Sequence, residues 1–255
     1  MIKYIIKFPF LKRLIPSFYK RYFLLTNNYF KNTIIEGIKY NLDLRHLIDR
    51  RFFFHKTYEE ELFLPIKKII DENQIDYFFD IGSCWGLYSL RLSKTFKHLK
   101  ILSFEPIKKN ILRLKHSIKI NKIKNIKVLH TALGYKKGFI KLSSTETYSP
   151  NYKINETNCT ISEKSMINSL DNLINISKKC IILKIDTEEF ELEVIKGSFK
   201  LLKSNKCYVQ VEVSSRNKKA ILTIFKKLSY KLISVNRVNK TDYLFSNFIT
   251  KKIYI

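Results

Sequence analysis

The chain has 255 residues, and its 48 Lys and Arg against 22 Asp and Glu give a formal net charge of +26 at pH 7. This length fits one domain of ordinary size with room for an extension, and the apolar and aromatic content excludes a disordered chain. The charge favours polyanionic partners such as nucleic acid, anionic lipid or acidic glycan. Because Ile, Asn and Lys are abundant together, a merely solvated lysine surface explains the charge equally well.

The cysteines indicate a reduced compartment, which predicts a cytoplasmic protein. Cys84, Cys159, Cys180 and Cys207 form no CxxC pair and lack the spacing of metal ligands, so no metal site is predicted. No apolar run is long enough to cross a bilayer. Basic residues interrupt the N-terminal apolar segment, so it does not have the pattern of a signal peptide.

The first 35 residues differ from the rest of the chain, because they lack Asp and Glu and carry seven basic residues together with nine aromatic ones. Two interpretations fit this composition. The segment either anchors the protein on an anionic membrane surface or forms an extra helical layer on the domain. We therefore divide the chain into a basic aromatic extension, residues 1–57, and one folded domain, residues 58–255, which is expected to carry the function.

From residue 57 onward, apolar strand patterns alternate with amphipathic helix patterns. This alternation predicts an α/β fold with a mostly parallel sheet and helices on both faces, closed by an antiparallel pair of terminal strands. A polar, irregular stretch at 143–165 is predicted to be a substrate loop. One helix is predicted to carry Leu192, Ile195, Phe199 and Leu202. Strands are predicted at 77–81, 100–105, 126–131, 139–142, 180–185 and 207–213, with two more in 230–255, and further helices at 57–73, 86–96, 107–118 and 221–228.

Carboxylates and glycines follow the first two strands of this alternation. Asp80, Gly82 and Gly86 form a D-x-G-x-x-x-G turn between a strand and a helix, and Glu105 ends the next strand. Glycine lets backbone approach a ligand closely, and a strand-end carboxylate about twenty residues later can accept hydrogen bonds from ribose hydroxyls. The pattern favours an adenosine-containing cofactor. It is neither the dinucleotide-binding G-x-G-x-x-G nor a phosphate-binding loop.

Six motifs follow one another in a recognisable order: DIGSCWG, SFEP, TALGYKKG, SLDNL, LKIDTEEFELEVIKG and VQVEVS. In this order they resemble the FkbM-type methyltransferases over residues 58–248. The resemblance implies a class I, Rossmann-like sheet of seven strands and methyl transfer from S-adenosylmethionine to a hydroxyl, on a saccharide or glycolipid. It also implies that Asp80, Gly82, Ser83 and Gly86 contact the methionine end, Glu105 with Pro106 the ribose, and Thr131 and Ala132 the adenine edge.

Three carboxylates are candidates for the base that takes the proton of the acceptor hydroxyl. Asp186 and Glu188 follow one strand and Glu212 ends the next. For each a plainer role stays open: Asp186 as a partner of the cofactor's ammonium, Glu188 as a helix N-terminal carboxylate, and Glu212 as the partner of a surface lysine.

The sequence departs from the family pattern at Glu189, which stands where the family has glycine. If that position needs positive φ, Glu189 is strained there. Two other functions remain open: the basic charge is compatible with methyl transfer to RNA, and Glu189 is compatible with a non-catalytic module that only binds the cofactor.

Overall fold

The computed structural model describes residues 18, 21–23, 25–144, 152–154, 159–236 and 241–248. The strands are β1 (Phe30–Ile35), β2 (Ile38–Asp43), β3 (Tyr77–Ile81), β4 (Lys100–Glu105), β5 (Ile126–His130), β6 (Ala132–Leu133), β7 (Gly138–Ser144), β8 (Lys153–Ile154), β9 (Ile161–Asn168), β10 (Cys180–Ile185), β11 (Lys206–Glu212), β12 (Lys231–Val235) and β13 (Asp242–Ser246). The helices are α1 (Leu47–His55), α2 (Glu60–Glu72), α3 (Leu87–Thr95), α4 (Lys108–Ile120), α5 (Leu170–Leu173), α6 (Glu191–Lys196), α7 (Phe199–Ser204) and α8 (Lys218–Lys227).

A seven-stranded sheet with the order β12-β13-β11-β10-β3-β4-β5 forms the centre of the fold. The strands from β11 to β5 run parallel, and β13 is antiparallel to both of its neighbours. The predicted sheet and its antiparallel terminal pair are confirmed. Because the strand order reverses between β3 and β10, the crevice for a ligand is expected at the carboxyl ends of these two strands.

Helices cover both faces of this sheet because its strands are apolar on both sides. On one face Phe79, Leu183 and Val209 pack against α6, α7 and α8. On the other face Phe78 and Ile182 pack against α2 and α3. Consecutive residues of β3 and of β10 thus point into opposite cores, as the period of a strand requires.

The hairpin of β1 and β2 packs on the domain rather than standing apart from it. Tyr40 and Leu42 of β2 share a core with Phe52 of α1 and with Trp85 and Leu90. The boundary at residue 57 stays a prediction. The segment predicted to be either a membrane anchor or a helical layer consists largely of residues 1–17, which lie outside the described residues. Both interpretations therefore stay predictions.

A second, four-stranded sheet with the order β6-β9-β7-β8 lies between the two halves of the large one along the chain. β9 pairs with β7 over seven residues of register. The predicted irregular loop at 143–165 is therefore wrong for 143–144, for 161–165 and for the short strand β8, because β7 pairs with both β8 and β9 there.

The helix predicted after β10 is divided into α6 and α7 at Gly197. A side chain at Gly197 would place Cβ 1.9 Å from the carbonyl oxygen of Gly134. The close approach of these two backbone segments ends α6, and hydrophobic periodicity does not reveal such a contact.

Across the described ranges, no helix combines the length and the apolarity that a membrane span requires.

Candidate active site

The parallel strands bring four sequence-distant carboxylates to one edge of the sheet. Asp80 lies in β3, Glu105 ends β4 and Glu212 ends β11, while Asp186 directly follows β10. Since these strands are neighbours and all run in the same direction, their carboxyl ends surround the switch point. The predicted cofactor and base residues therefore share one region.

The turn after β3 is built on two glycines with positive φ, Gly82 at +78° and Gly86 at +83°. The N–H groups of Gly82 and Ser83 donate to the carbonyl of Phe104 at 3.0 and 3.1 Å, which ties the turn to β4. Gly86 caps α3, and a Cβ there would lie 2.3 Å from Leu114. Gly86 thus packs against α4 and does not line either cavity described below, whereas Gly82 lines both.

The first cavity contains about 800 Å³ of space that is open to solvent. Apolar side chains such as Phe104, Ile107 and Leu133 form much of its wall, as is usual for a small-molecule site. The predicted cofactor residues that line it are Gly82, Glu105, Pro106, Thr131 and Ala132.

Glu105 is 4 % exposed and is held by three donors. Oε2 accepts from the N–H of Cys84 at 2.8 Å, and Oε1 accepts from the N–H of Ile107 at 2.9 Å and from Asn110 at 3.2 Å. Burial raises the pKa of Glu105 to about 7, although these hydrogen bonds favour the ionised form. A carboxylate oxygen has two lone pairs, so Oε2 keeps one for a ligand.

The second cavity contains about 970 Å³ and has a polar wall. It meets the first at five residues that line both, namely Ile48, Gly82, Cys84, Asp186 and Glu188. Its carboxylates are Glu59, Asp80, Asp186, Glu188, Glu212 and Asp242, and its lining includes one ammonium group, that of Lys184. No group of three or more His, Cys, Asp or Glu in the described residues is arranged to hold a metal ion.

Two side chains of the turn present polar atoms that the described part of the chain leaves without a hydrogen-bond partner, namely Asp80 Oδ1 and Ser83 Oγ. Asp80 is 1 % exposed, and its Oδ2 accepts from Ser89 at 2.6 Å. Burial raises the pKa of Asp80, while Lys184 opposes that change. Buried polar atoms usually have partners, so these two atoms are suited to a ligand.

Asp186 is partly exposed and is bound by a buried lysine. Lys184 Nζ donates to Oδ2 of Asp186 at 2.8 Å, and the two side chains are 7 % and 37 % exposed. Asp186 lines both cavities and therefore lies where their contents can meet.

The turn after Asp186 contains two side-chain-bearing residues with positive φ, Glu188 at +53° and Glu189 at +76°. The buried carboxylate of Glu191 holds this turn by accepting from the N–H groups of Thr187 and Glu189. Burial, with Asp186 nearby, raises the pKa of Glu188 to about 7. The strained backbone expected at Glu189 is present, and its exposed side chain pairs with Lys153 at 2.8 Å.

Glu212 does not pair with a surface lysine among the described residues. It faces the second cavity, where burial and then the charges of Asp186 and Asp242 raise its pKa to about 7. This proton affinity is suited to a base that works near neutral pH.

Sequence analysis missed three groups of the second cavity: Glu59, Lys184 and Asp242. Lys184 left a visible signal, since it is a lysine within an apolar strand, CIILKI. Glu59 precedes α2 with φ +51°, and Asp242 begins β13. Nothing in the local sequence links these two residues to the strand ends that carry Asp80, Asp186 and Glu212.

Comparison with known protein families finds a match over residues 77–232, to the family described as Methyltransferase FkbM domain. No curated protein matches the chain.

Solved structures with a similar fold are distant in sequence. A methyltransferase FkbM from Methylobacillus flagellatus KT is 14% identical with a TM-score of 0.48, over 68% of this chain and 43% of that one. Trm5b from Pyrococcus abyssi is 12% identical with a TM-score of 0.48, over 86% and 54%. TYW2 from M. jannaschii, in complex with AdoMet, is 11% identical with a TM-score of 0.45, over 86% and 84%. The chain thus spans about half or less of the first two proteins.

Proposed function

This chain belongs to the FkbM methyltransferase family, whose cofactor is S-adenosylmethionine, and we propose that it methylates a hydroxyl group of a saccharide or glycolipid in the cytoplasm. Methyl transfer follows from the family. The acceptor is inferred from the family resemblance and from the carboxylates of the second cavity, and the cytoplasm from the four free cysteines.

The residues around the first cavity fit the cofactor. Its largely apolar wall suits the base and ribose of a nucleoside, and Glu105 offers a carboxylate oxygen in that wall. Asp80 Oδ1 and Ser83 Oγ, in the part of the second cavity that adjoins the turn, offer the unpartnered acceptor and hydroxyl for the polar tail of the cofactor. When bound, the cofactor supplies an electrophilic methyl group on a sulfonium.

One observation supports transfer most directly: Asp186 lines both cavities and so lies at their junction. A hydroxyl is a poor nucleophile until a base takes its proton. In this proposal Asp186 takes the proton, and Glu188 and Glu212, which line the second cavity with it, are the alternative bases. Positioning of the two substrates in adjoining cavities contributes the remainder of the rate.

The second cavity favours a neutral, hydroxyl-rich acceptor over RNA. Carboxylates accept hydrogen bonds from hydroxyls, and this cavity has six of them. A phosphate-rich chain would meet like charges there, which is costly in a partly desolvated site. The net charge of +26 supports RNA only at the outer surface.

Radiolabelled S-adenosylmethionine, incubated with the protein and fractionated cell extract, tests the function. We expect label in a glycan or glycolipid fraction, sensitive to glycosidase and resistant to ribonuclease. The matched control is Asp186→Asn, which should incorporate little label. Label that ribonuclease removes would replace the proposal by RNA methylation, and tight cofactor binding without any labelled product would identify a non-catalytic module.

We also propose that residues 1–35 contact an anionic membrane surface. The described apolar residues of this segment support it, because five of them are at least 51 % exposed: Phe18, Tyr22, Leu25, Phe30 and Ile34. Exposed apolar groups among basic residues suit an anionic interface.

Flotation with phosphatidylserine-containing and pure phosphatidylcholine vesicles tests the membrane contact. We expect binding to the anionic vesicles, weakened by the double change Phe30→Ser and Ile34→Ser. The control is Phe139→Ser, which removes an equally exposed phenyl group from β7. Equal loss of binding in the control would contradict the proposed contact.

A further inference from the structure

Lys184 is a buried lysine in the middle of the sheet. Its neighbours in β10, from Ile181 to Ile185, are at most 1 % exposed, and Lys184 itself is 6 % exposed. An isolated ammonium at such a position costs several kcal/mol in lost hydration. The fold therefore retains this charge only if nearby anions compensate it.

Carboxylates around the active site supply that compensation. Nζ donates to Asp186 Oδ2 at 2.8 Å, and Asp80 of β3 lies directly opposite Lys184 in the strand register. The ammonium also lies 4.8 Å from the ring centre of Tyr88. Burial alone lowers the pKa of Lys184, but Asp186, Asp80 and Glu59 outweigh it and raise this pKa well above its usual range.

Asp186, in turn, is surrounded mainly by other acids. Phenols of Tyr58 and Tyr88 belong to the same cavity wall. The carboxylates come from several elements: Asp80 from β3, Glu59 from the residue before α2, Glu188 from the adjoining turn, Glu191 from the start of α6, Glu212 from β11 and Asp242 from β13. Within the cavity lining, Lys184 is the cation that opposes their repulsion.

We propose that Lys184 is a positioning residue for Asp186: its ammonium holds Oδ2 of this carboxylate and offsets the repulsion from the six other acids around it. This assignment rests on the proposed function in one respect, which is that Asp186 is the group that accepts the proton of the acceptor hydroxyl. Lys184 itself does not take a proton, because its own charge is stabilised. With Oδ2 engaged, the carboxylate has a defined orientation towards the junction of the cavities.

The alternative is that Lys184 merely fills the core, and ionisation of Asp186 distinguishes the two. The measurement uses protein without substrate whose aspartate carboxyl carbons are labelled with ¹³C, and NMR follows their chemical shifts as the pH is changed. The signal missing in Asp186→Asn is that of Asp186. We expect Lys184→Met to move its titration midpoint upward by about 1–3 pH units, the effect of losing an adjacent opposite charge. Lys184→Arg keeps the cation, so its midpoint for Asp186 should stay close to that of the wild type.

The matched control is Lys206→Met, which removes an exposed lysine from the other end of the neighbouring strand and should leave the titration unchanged. If Lys184→Met prevents folding, Lys184→Gln keeps a hydrogen-bond donor without the charge and should show the same shift. An unchanged midpoint in folded Lys184→Met or Lys184→Gln would overturn the proposal.

The same variants separate this proposal from the transfer function. If Asp186 is the base, the acid limb of the methyl-transfer pH profile should move with the NMR midpoint in Lys184→Met. A wild-type protein that transfers no methyl group would contradict the function, while the titration shift would still stand. A lower melting temperature with no titration shift would assign Lys184 to packing alone.

Discussion

Gly82 and Asp186 lie against each other through their backbones. A Cβ on Gly82 would be 1.8 Å from the carbonyl oxygen of Asp186, and the N–H of Asp186 donates to the carbonyl of Ile81 at 3.1 Å. These contacts join the turn after β3 to the end of β10 at the point where strand order reverses. Both cavities open from this junction.

Gly82→Ala should therefore destabilise the protein by about 3 kcal/mol, because it adds a backbone collision to a φ of +78°. Thermal unfolding should show the melting temperature falling by about 6–12 °C, with weaker binding of S-adenosylmethionine by calorimetry. Gly138→Ala is the control, since the nearest atom to its Cβ, from Ile167, would be 4.0 Å away. Similar losses in both variants would contradict the importance of this contact.

Asp186→Asn should reduce methyl transfer by roughly 10²–10⁴-fold with little change in cofactor affinity, because the amide keeps size and hydrogen-bonding capacity but cannot take a proton. The measurement is a pair of titrations, cofactor binding and transfer, at one salt concentration. Weaker binding with turnover restored at saturation would instead assign Asp186 to the cofactor's ammonium. If neither quantity changed, the base would be Glu188 or Glu212.

Glu105→Ala should lower cofactor affinity at least about tenfold, since charge-assisted hydrogen bonds to ribose contribute about 1.5–3 kcal/mol each. Calorimetry with S-adenosylhomocysteine measures the loss. The control is Asn110→Ala, which removes a donor to Oε1 and leaves the carboxylate in place. Unchanged affinity in Glu105→Ala would show that the ribose binds elsewhere.

Glu212→Gln should stabilise the substrate-free protein at pH 8 and hardly at all at pH 5. Burial raises the pKa of Glu212 from 4.5 to about 7, so the native state binds more protons than the unfolded chain between these values, and stability falls as pH rises through that window. Glutamine does not titrate. After allowance for partial exposure, the gain at pH 8 should be about 1 kcal/mol.

Urea unfolding at the two pH values measures this difference. Glu61→Gln, at an exposed position of α2, is the matched control and should be neutral at both. A gain for Glu212→Gln that is equal at pH 5 and pH 8 would exclude ionisation as its cause.

Glu189→Gly should give a more stable protein than Glu189→Ala, by about 1 kcal/mol, because residue 189 has a φ of +76°. Both changes remove the exposed pair with Lys153, so their difference isolates the backbone. Denaturant unfolding of the two variants measures it. If the alanine variant were the more stable, the turn would not need the left-handed conformation that the family's glycine indicates.

The sequence alone determined the central sheet and much of the first cavity. The predicted bounds of β3, β4 and β10 match the structure, because buried parallel strands are continuous apolar runs with abrupt polar ends. Motifs at those ends identified Gly82, Glu105 and Asp186, which the structure brings together at the switch point. These are local signals, in which a strand and its turn lie next to each other in the chain.

Only the tertiary structure decided which distant groups meet. Glu59 and Asp242 reach the second cavity through strand order and helix packing, which no local pattern encodes. The buried charge of Lys184 could be explained only from the folded structure, in which β3 places Asp80 opposite it. Likewise the division of a helix at Gly197 depends on Gly134, more than sixty residues earlier. In each case the deciding interaction is a contact or a charge across space, and its energy exists only once the chain has folded.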